Sequence, residues 1–144
     1  KGLELEAAVR AGSFALQGGV TFTDAKITSS SDDKLVGKTP KRQAKMVYQL
    51  TPTYSIGDVW VVGASIVGTS ASKDDSPTGP LTVTLPAFTA VNAFVNVAIT
   101  ANASLTVGVN NLFDTIGYTE SNDGRGAARS INGRTAKATL KYTF

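Results

Sequence analysis

Alternation with period 2 runs through most of this sequence and constrains its fold more than any other feature, because successive side chains of an extended strand face opposite sides. Leu3, Leu5, Ala7 and Val9 alternate with Glu4, Glu6, Ala8 and Arg10. Phe14, Leu16, Gly18, Val20 and Phe22 then oppose Ala15, Gln17, Gly19, Thr21 and Thr23, and Ala44, Met46, Tyr48 and Leu50 oppose Gln43, Lys45, Val47 and Gln49. The pattern returns around Trp60 to Val67, Val91 to Ile99 and Leu105 to Asn110. In the last run Ala136, Ala138, Leu140, Tyr142 and Phe144 face one way while Thr135, Lys137, Thr139, Lys141 and Thr143 face the other. Each run reads as a strand with two chemically different faces.

Extended to the nearest turn signals, these runs predict seven strands of roughly 9 to 15 residues, longer than most soluble strands and long enough for a tilted membrane strand. The connections alternate in length. Ala11 to Ser13, Thr51 to Asp58 and Ala101 to Ala103 read as short turns, whereas Thr28 to Lys41, Ser70 to Ala87 and Thr119 to Ser130 are long and polar. In an up-and-down meander every second connection lies at the same end, so short turns share one rim and long loops the other, as in outer-membrane barrels. The fold predicted is all-β, an antiparallel up-and-down transmembrane β-barrel. A soluble ligand-binding β-barrel is the alternative, since alternation alone does not say which face is inside. Aromatic residues near strand ends on the apolar face (Phe14, Phe22, Tyr48, Trp60, Tyr142, Phe144) favour the membrane, where such rings sit at the interface.

Composition narrows the function. The 144 residues include no His and no Cys, which removes the Ser-His-Asp triad, cysteine nucleophiles, imidazole ligands and disulfides. Their formal charge of +3 is small and its cations are scattered, which predicts no nucleic-acid partner. The longest apolar stretches span a few residues, far short of the roughly 20 of a membrane helix. An odd number of antiparallel strands does not close on itself without a parallel seam. The piece is therefore expected to be part of a larger wall, its missing strands lying before Lys1, where the chain begins in mid-alternation without Met.

Val109-Asn110-Asn111-Leu112-Phe113-Asp114, followed by Asn132-Gly133-Arg134-Thr135 and the closing Leu140-Lys141-Tyr142-Thr143-Phe144, resembles the carboxyl end of TonB-dependent outer-membrane receptors. Gly2-Leu3-Glu4-Leu5-Glu6 and Thr39-Pro40-Lys41 resemble segments further upstream in that family, so the resemblance covers residues 1–144. It departs after Gly133-Arg134, where the family often has an aromatic and this chain has Thr135-Ala136-Lys137. The resemblance implies a carboxyl-terminal portion of a barrel of about 22 strands, with the plug domain absent from this chain. It also implies a bacterial outer-membrane location and transport of a scarce nutrient, a ferric siderophore or a carbohydrate, energised by a TonB complex acting through missing upstream segments. No enzymatic activity, cofactor or metal is expected. A structural or adhesive outer-membrane barrel without active transport is the runner-up.

Three groups of residues are singled out. Leu140, Tyr142 and Phe144 resemble the terminal signal that the barrel-assembly machinery engages, by strand addition to an exposed edge; their other partner is outer-membrane lipid. Glu4, Glu6, Arg10, Lys45, Lys137 and Lys141 are expected to face the lumen, where charges are solvated or paired. Arg125 and Arg129 lie in a basic loop that is a candidate contact for an anionic ligand. Glu4 and Glu6 share a strand face about 7 Å apart, but nothing else converges on them to make a glycosidase pair. Asp32-Asp33 and Asp74-Asp75 lack the ordered oxygen spacing of a calcium loop and read as solvated. Asn102-Ala103-Ser104 reads as a chance sequon in a short turn.

Overall fold

A computed structural model describes residues 1–75, 82–122 and 127–144. In chain order its elements are β1 (Gly2–Ala11), β2 (Phe14–Thr23), a 3-10 turn (Asp33–Leu35), β3 (Met46–Ile56), β4 (Trp60–Thr69), β5 (Ser72–Asp75), β6 (Thr82–Leu85), β7 (Phe88–Thr100), β8 (Ala103–Asn110), β9 (Tyr118–Asn122), β10 (Ala127–Ser130) and β11 (Thr135–Tyr142). Seven strands form one antiparallel sheet in the order β1-β2-β3-β4-β7-β8-β11. The seven alternating runs are therefore the seven strands of one wall, and the sheet is open, with β1 and β11 as its edges. The other four strands make two hairpins, β5 with β6 and β9 with β10, which stand within stretches that read as loops in the sequence.

Register makes one face continuous. Across the wall Leu5 pairs with Val20, Val20 with Tyr48, Leu50 with Ile66, Val62 with Val95, Val97 with Leu105, and Leu105 with Leu140. Residues directly opposite one another in an antiparallel pair lie on the same face, so the apolar stripes of separate strands merge into one surface. A slip of one residue anywhere would interrupt it.

Among the described residues, no protein lies over that surface. Leu85 and Ala90 are the buried apolar side chains among the described residues, while Leu5 is 54% and Leu140 67% exposed. The accessible surface is 10140 Å², against about 7,000 Å² expected for a folded soluble monomer of this mass. A sheet this exposed on its apolar side needs a non-aqueous neighbour, and a barrel wall in lipid supplies one.

One connection differs from expectation. Thr51 to Asp58 reads as a turn, but β3 continues to Ile56 and the chain reverses over residues 57–59, with Gly57 at φ +57°. Pro52 lies inside the strand, opposite Leu16 on β2. Toward β4 the pairing goes from Leu50–Ile66 directly to Thr53–Gly63, a gap where proline has no N–H to donate.

Candidate functional site

The long connections gather at the rim where β2 ends and β3 begins, and a polar cluster binds them together. Arg42 precedes β3 with φ +57°, an uncommon conformation for a non-glycine residue. Its backbone N–H donates to the Lys73 carbonyl at 2.7 Å, and its Nε donates to Asp74 Oδ2 at 3.0 Å. Its Nη2 lies 3.0 Å from Glu120 Oε1, and Arg129 Nε lies 3.6 Å from Glu120 Oε2. The Ser121 backbone N–H donates to the same Asp74 Oδ2 at 2.9 Å. One guanidinium thus joins the first long connection to the β5 hairpin and to β9.

Asp74 sits at the centre, 1% exposed, and its Oδ1 is buried without a hydrogen-bond partner among the described residues. Burial by itself would raise its pKa, but the Ser121 N–H and then the Arg42 guanidinium outweigh it and hold the carboxyl below its usual range. Partial desolvation pulls Arg42 the other way, and its bonds to Asp74 and Glu120 leave its pKa raised. The solvated-loop reading of Asp74 is corrected: it is a buried ion-pair partner. Asp32 instead caps the 3-10 turn by accepting from the Lys34 N–H at 3.0 Å.

The loop arginines separate. Arg129 has an exposed side chain directed at Glu120, so a carboxylate of this chain already shares its charge. Arg125 lies outside the described residues.

On the wall, Glu4, Glu6, Arg10, Lys137 and Lys141 occupy the register positions opposite the apolar stripe: Glu4 with Thr21, Glu6 with Gly19, Arg10 with Ala15, Lys137 with Gly108, Lys141 with Ser104. These charges belong to the two edge strands. Between them the same face carries amides and hydroxyls, and Asn96 Nδ2 donates to Thr106 Oγ1 at 2.7 Å. Glu4 and Glu6 have no ion-pair partner among the described residues. Lys45 stands apart from this group, in the bend just ahead of β3, where its backbone N–H donates to Ser70 Oγ at 3.0 Å.

At the other rim Leu140 and Tyr142 end β11 on the apolar face, and Phe144 lies just beyond the strand. The Tyr142 and Phe144 rings meet edge-on, with centroids 5.0 Å apart. Asn102 uses its side-chain amide to donate to the Thr143 carbonyl at 3.1 Å, a structural bond that ties the β7–β8 turn to the carboxyl end.

Sequence reasoning missed Asn111. It is 4% exposed at φ +50° and its amide donates to the carbonyls of Thr115 and Asn132 at 2.9 and 3.0 Å. Its Oδ1 accepts from the Thr115 N–H, and its own N–H donates to Asn92 Oδ1. Asn tolerating a left-handed backbone within Asn-Leu-Phe-Asp is the signal that points to such a turn.

Among known protein families, residues 1–112 match the TonB dependent receptor-like β-barrel. The chain belongs to this family. No curated protein matches it. Solved structures of similar fold include the siderophore receptor PiuA from Acinetobacter baumannii, at 22% identity and a TM-score of 0.78, covering 97% of this chain and 21% of that one. The ferric-catecholate import receptor Fiu from E. coli is similar at 20% identity and a TM-score of 0.79, covering 99% of this chain and 20% of that one. The siderophore receptor PirA from Acinetobacter baumannii aligns at 21% identity and a TM-score of 0.79, over 99% of this chain and 22% of that one. The chain thus spans about one fifth of the length of these receptors. The open seven-strand sheet matches part of the barrel wall of this family.

Proposed function

We propose that this chain is the wall and outer-loop portion of an outer-membrane receptor that takes up a ferric siderophore under the control of a TonB complex, and that it catalyses no reaction. The observation that carries the reading is the seven-strand wall itself: a continuous uncovered apolar face, an opposite face of amides, hydroxyls and edge charges, and long connections gathered at one rim. Membership of the receptor family and the siderophore receptors among structures of similar fold support it. A wide polar lumen with lipid outside suits passage of a bulky hydrated solute. The uncovered apolar face argues against the soluble ligand-binding barrel.

Growth of a strain carrying the full-length receptor as its sole iron-uptake route, on a panel of ferric siderophores with TonB present or deleted, tests this. Siderophore-dependent growth that disappears without TonB is the expected result. Receptor inserted in the membrane but supporting no uptake of iron chelates would overturn the siderophore assignment; carbohydrate uptake by the same receptor would redirect it.

A further inference from the structure

The segment from Lys34 to Lys45 carries five cations (Lys34, Lys38, Lys41, Arg42, Lys45) and no acid. Arg42 spends its charge on Asp74 and Glu120. Lys38 and Lys45 do something different: with Lys73 from the edge of the β5 hairpin they line one cavity of about 510 Å³, whose remaining polar lining includes Thr39, Gln43 and Ser72. No carboxylate lines it among the described residues. Among the described residues Lys38, Lys45 and Lys73 form no ion pair, whereas the nearby guanidinium does.

We propose that this rim cavity is a binding site for a phosphate monoester. Three lysines that line one cavity with no carboxylate among its described lining concentrate positive charge there, and a bound anion relieves their repulsion. A phosphate monoester carries about −1.5 to −2 charge with three strong acceptor oxygens, which suits three separate point-charge donors better than a single carboxylate does. The cavity has the size of a small-molecule pocket rather than of a bare oxyanion, so the phosphate arrives on a carrier such as a sugar or a glycerol. The site is also built rather than incidental. Lys73 reaches it because the Arg42 N–H binds the Lys73 carbonyl and the Arg42 side chain holds the adjacent Asp74, so the clamp that joins the loops also sets the third cation. The carrier is either a lipid headgroup at the membrane surface or a soluble sugar phosphate; both present the same group. This assignment does not depend on which nutrient the receptor carries.

The test uses the full-length receptor in detergent, titrated calorimetrically with glucose 1-phosphate and, separately, with short-chain dihexanoyl phosphatidic acid. At least one probe is expected to bind, with affinity falling as salt rises. Binding of glucose 1-phosphate assigns a soluble ligand, and binding confined to phosphatidic acid assigns a lipid headgroup; either supports the site. Lys38→Gln, Lys45→Gln and Lys73→Gln are each expected to weaken binding roughly fivefold, equivalent to about 1 kcal/mol per cation, and the triple variant on the order of a hundredfold. Lys73→Arg, which keeps the charge, retains most of the affinity. These side chains are exposed, so the variants fold and remain heat-modifiable. Wild-type receptor that binds neither probe, or a folded triple variant that binds as well as wild type, overturns the proposal.

Discussion

The ring of Tyr48 on β3 lies across Gly68 on β4, and its hydroxyl is hydrogen-bonded to Thr89 on β7, so one side chain bridges three strands of the wall. A Cβ at Gly68 would collide with that ring. The same device recurs on the opposite face, where Phe94 covers Gly63. An aromatic laid over a cross-strand glycine fills the space that the glycine leaves and pins the register.

Gly68→Ala is therefore expected to push Tyr48 off its seat and destabilise the receptor by about 1–3 kcal/mol, the usual cost of overpacking. Tyr48→Phe, which keeps the ring and loses the bond to Thr89, costs about 1 kcal/mol. The unfolding midpoint in detergent measures both. Equal stability of Gly68→Ala and wild type would remove the ring from its bridging role.

The Arg42–Asp74–Glu120 cluster predicts a pH window for the long connections. Asp74 has its pKa lowered in the folded chain, so its contribution is present above the ordinary carboxylate pKa of about 3.9 and is lost as pH falls through the lowered value. Proteolysis of the long connections on intact cells should stay slow from pH 8 to about 5 and accelerate only below about 4. Arg42→Gln leaves a buried carboxylate without its counter-charge and should speed cleavage at neutral pH roughly tenfold. Unchanged cleavage in Arg42→Gln would mean that the loops are held by other contacts.

Thr106 and Val107 are neighbours on β8 with opposite surroundings: Thr106 accepts from Asn96, and Val107 stands 46% exposed on the apolar stripe. Spin labels placed there in the membrane-inserted receptor should report water at position 106 and lipid at position 107. The reverse pattern would turn the wall inside out.

Phe144 separates assembly from stability. If the ring sits at the membrane interface, its replacement by Asp costs a folded barrel only about 0–1 kcal/mol. If the free edge and end of β11 are what the assembly machinery engages, Phe144→Asp should instead cut the amount of inserted, heat-modifiable receptor severalfold while the unfolding midpoint of what inserts stays near wild type. Wild-type insertion levels would leave Phe144 as an interfacial ring and nothing more.

The alternation of single residues, such as Leu5 against Glu6 or Leu140 against Lys141, was enough by itself to determine the two-faced strands and their number in the wall, because strand pleat maps parity in the chain directly onto side of the sheet; the family resemblance came from motifs such as Asn110-Asn111-Leu112-Phe113-Asp114. Parity did not determine where β3 ends, since Pro52 signals a turn locally and only a neighbouring strand reveals that its missing N–H falls in a gap of the ladder. Tertiary structure alone decided the rim that carries the long connections. Arg42 meets Asp74 across 32 positions, and Ser121 meets Asp74 across 47, with no periodicity linking them. In the sequence Asp74 is one acid in a polar stretch and Lys45 one cation ahead of a strand. Which acid is buried and which cations stand together around a cavity depend on how three connections of different length fold against one another, a matter of packing and charge that no local pattern encodes.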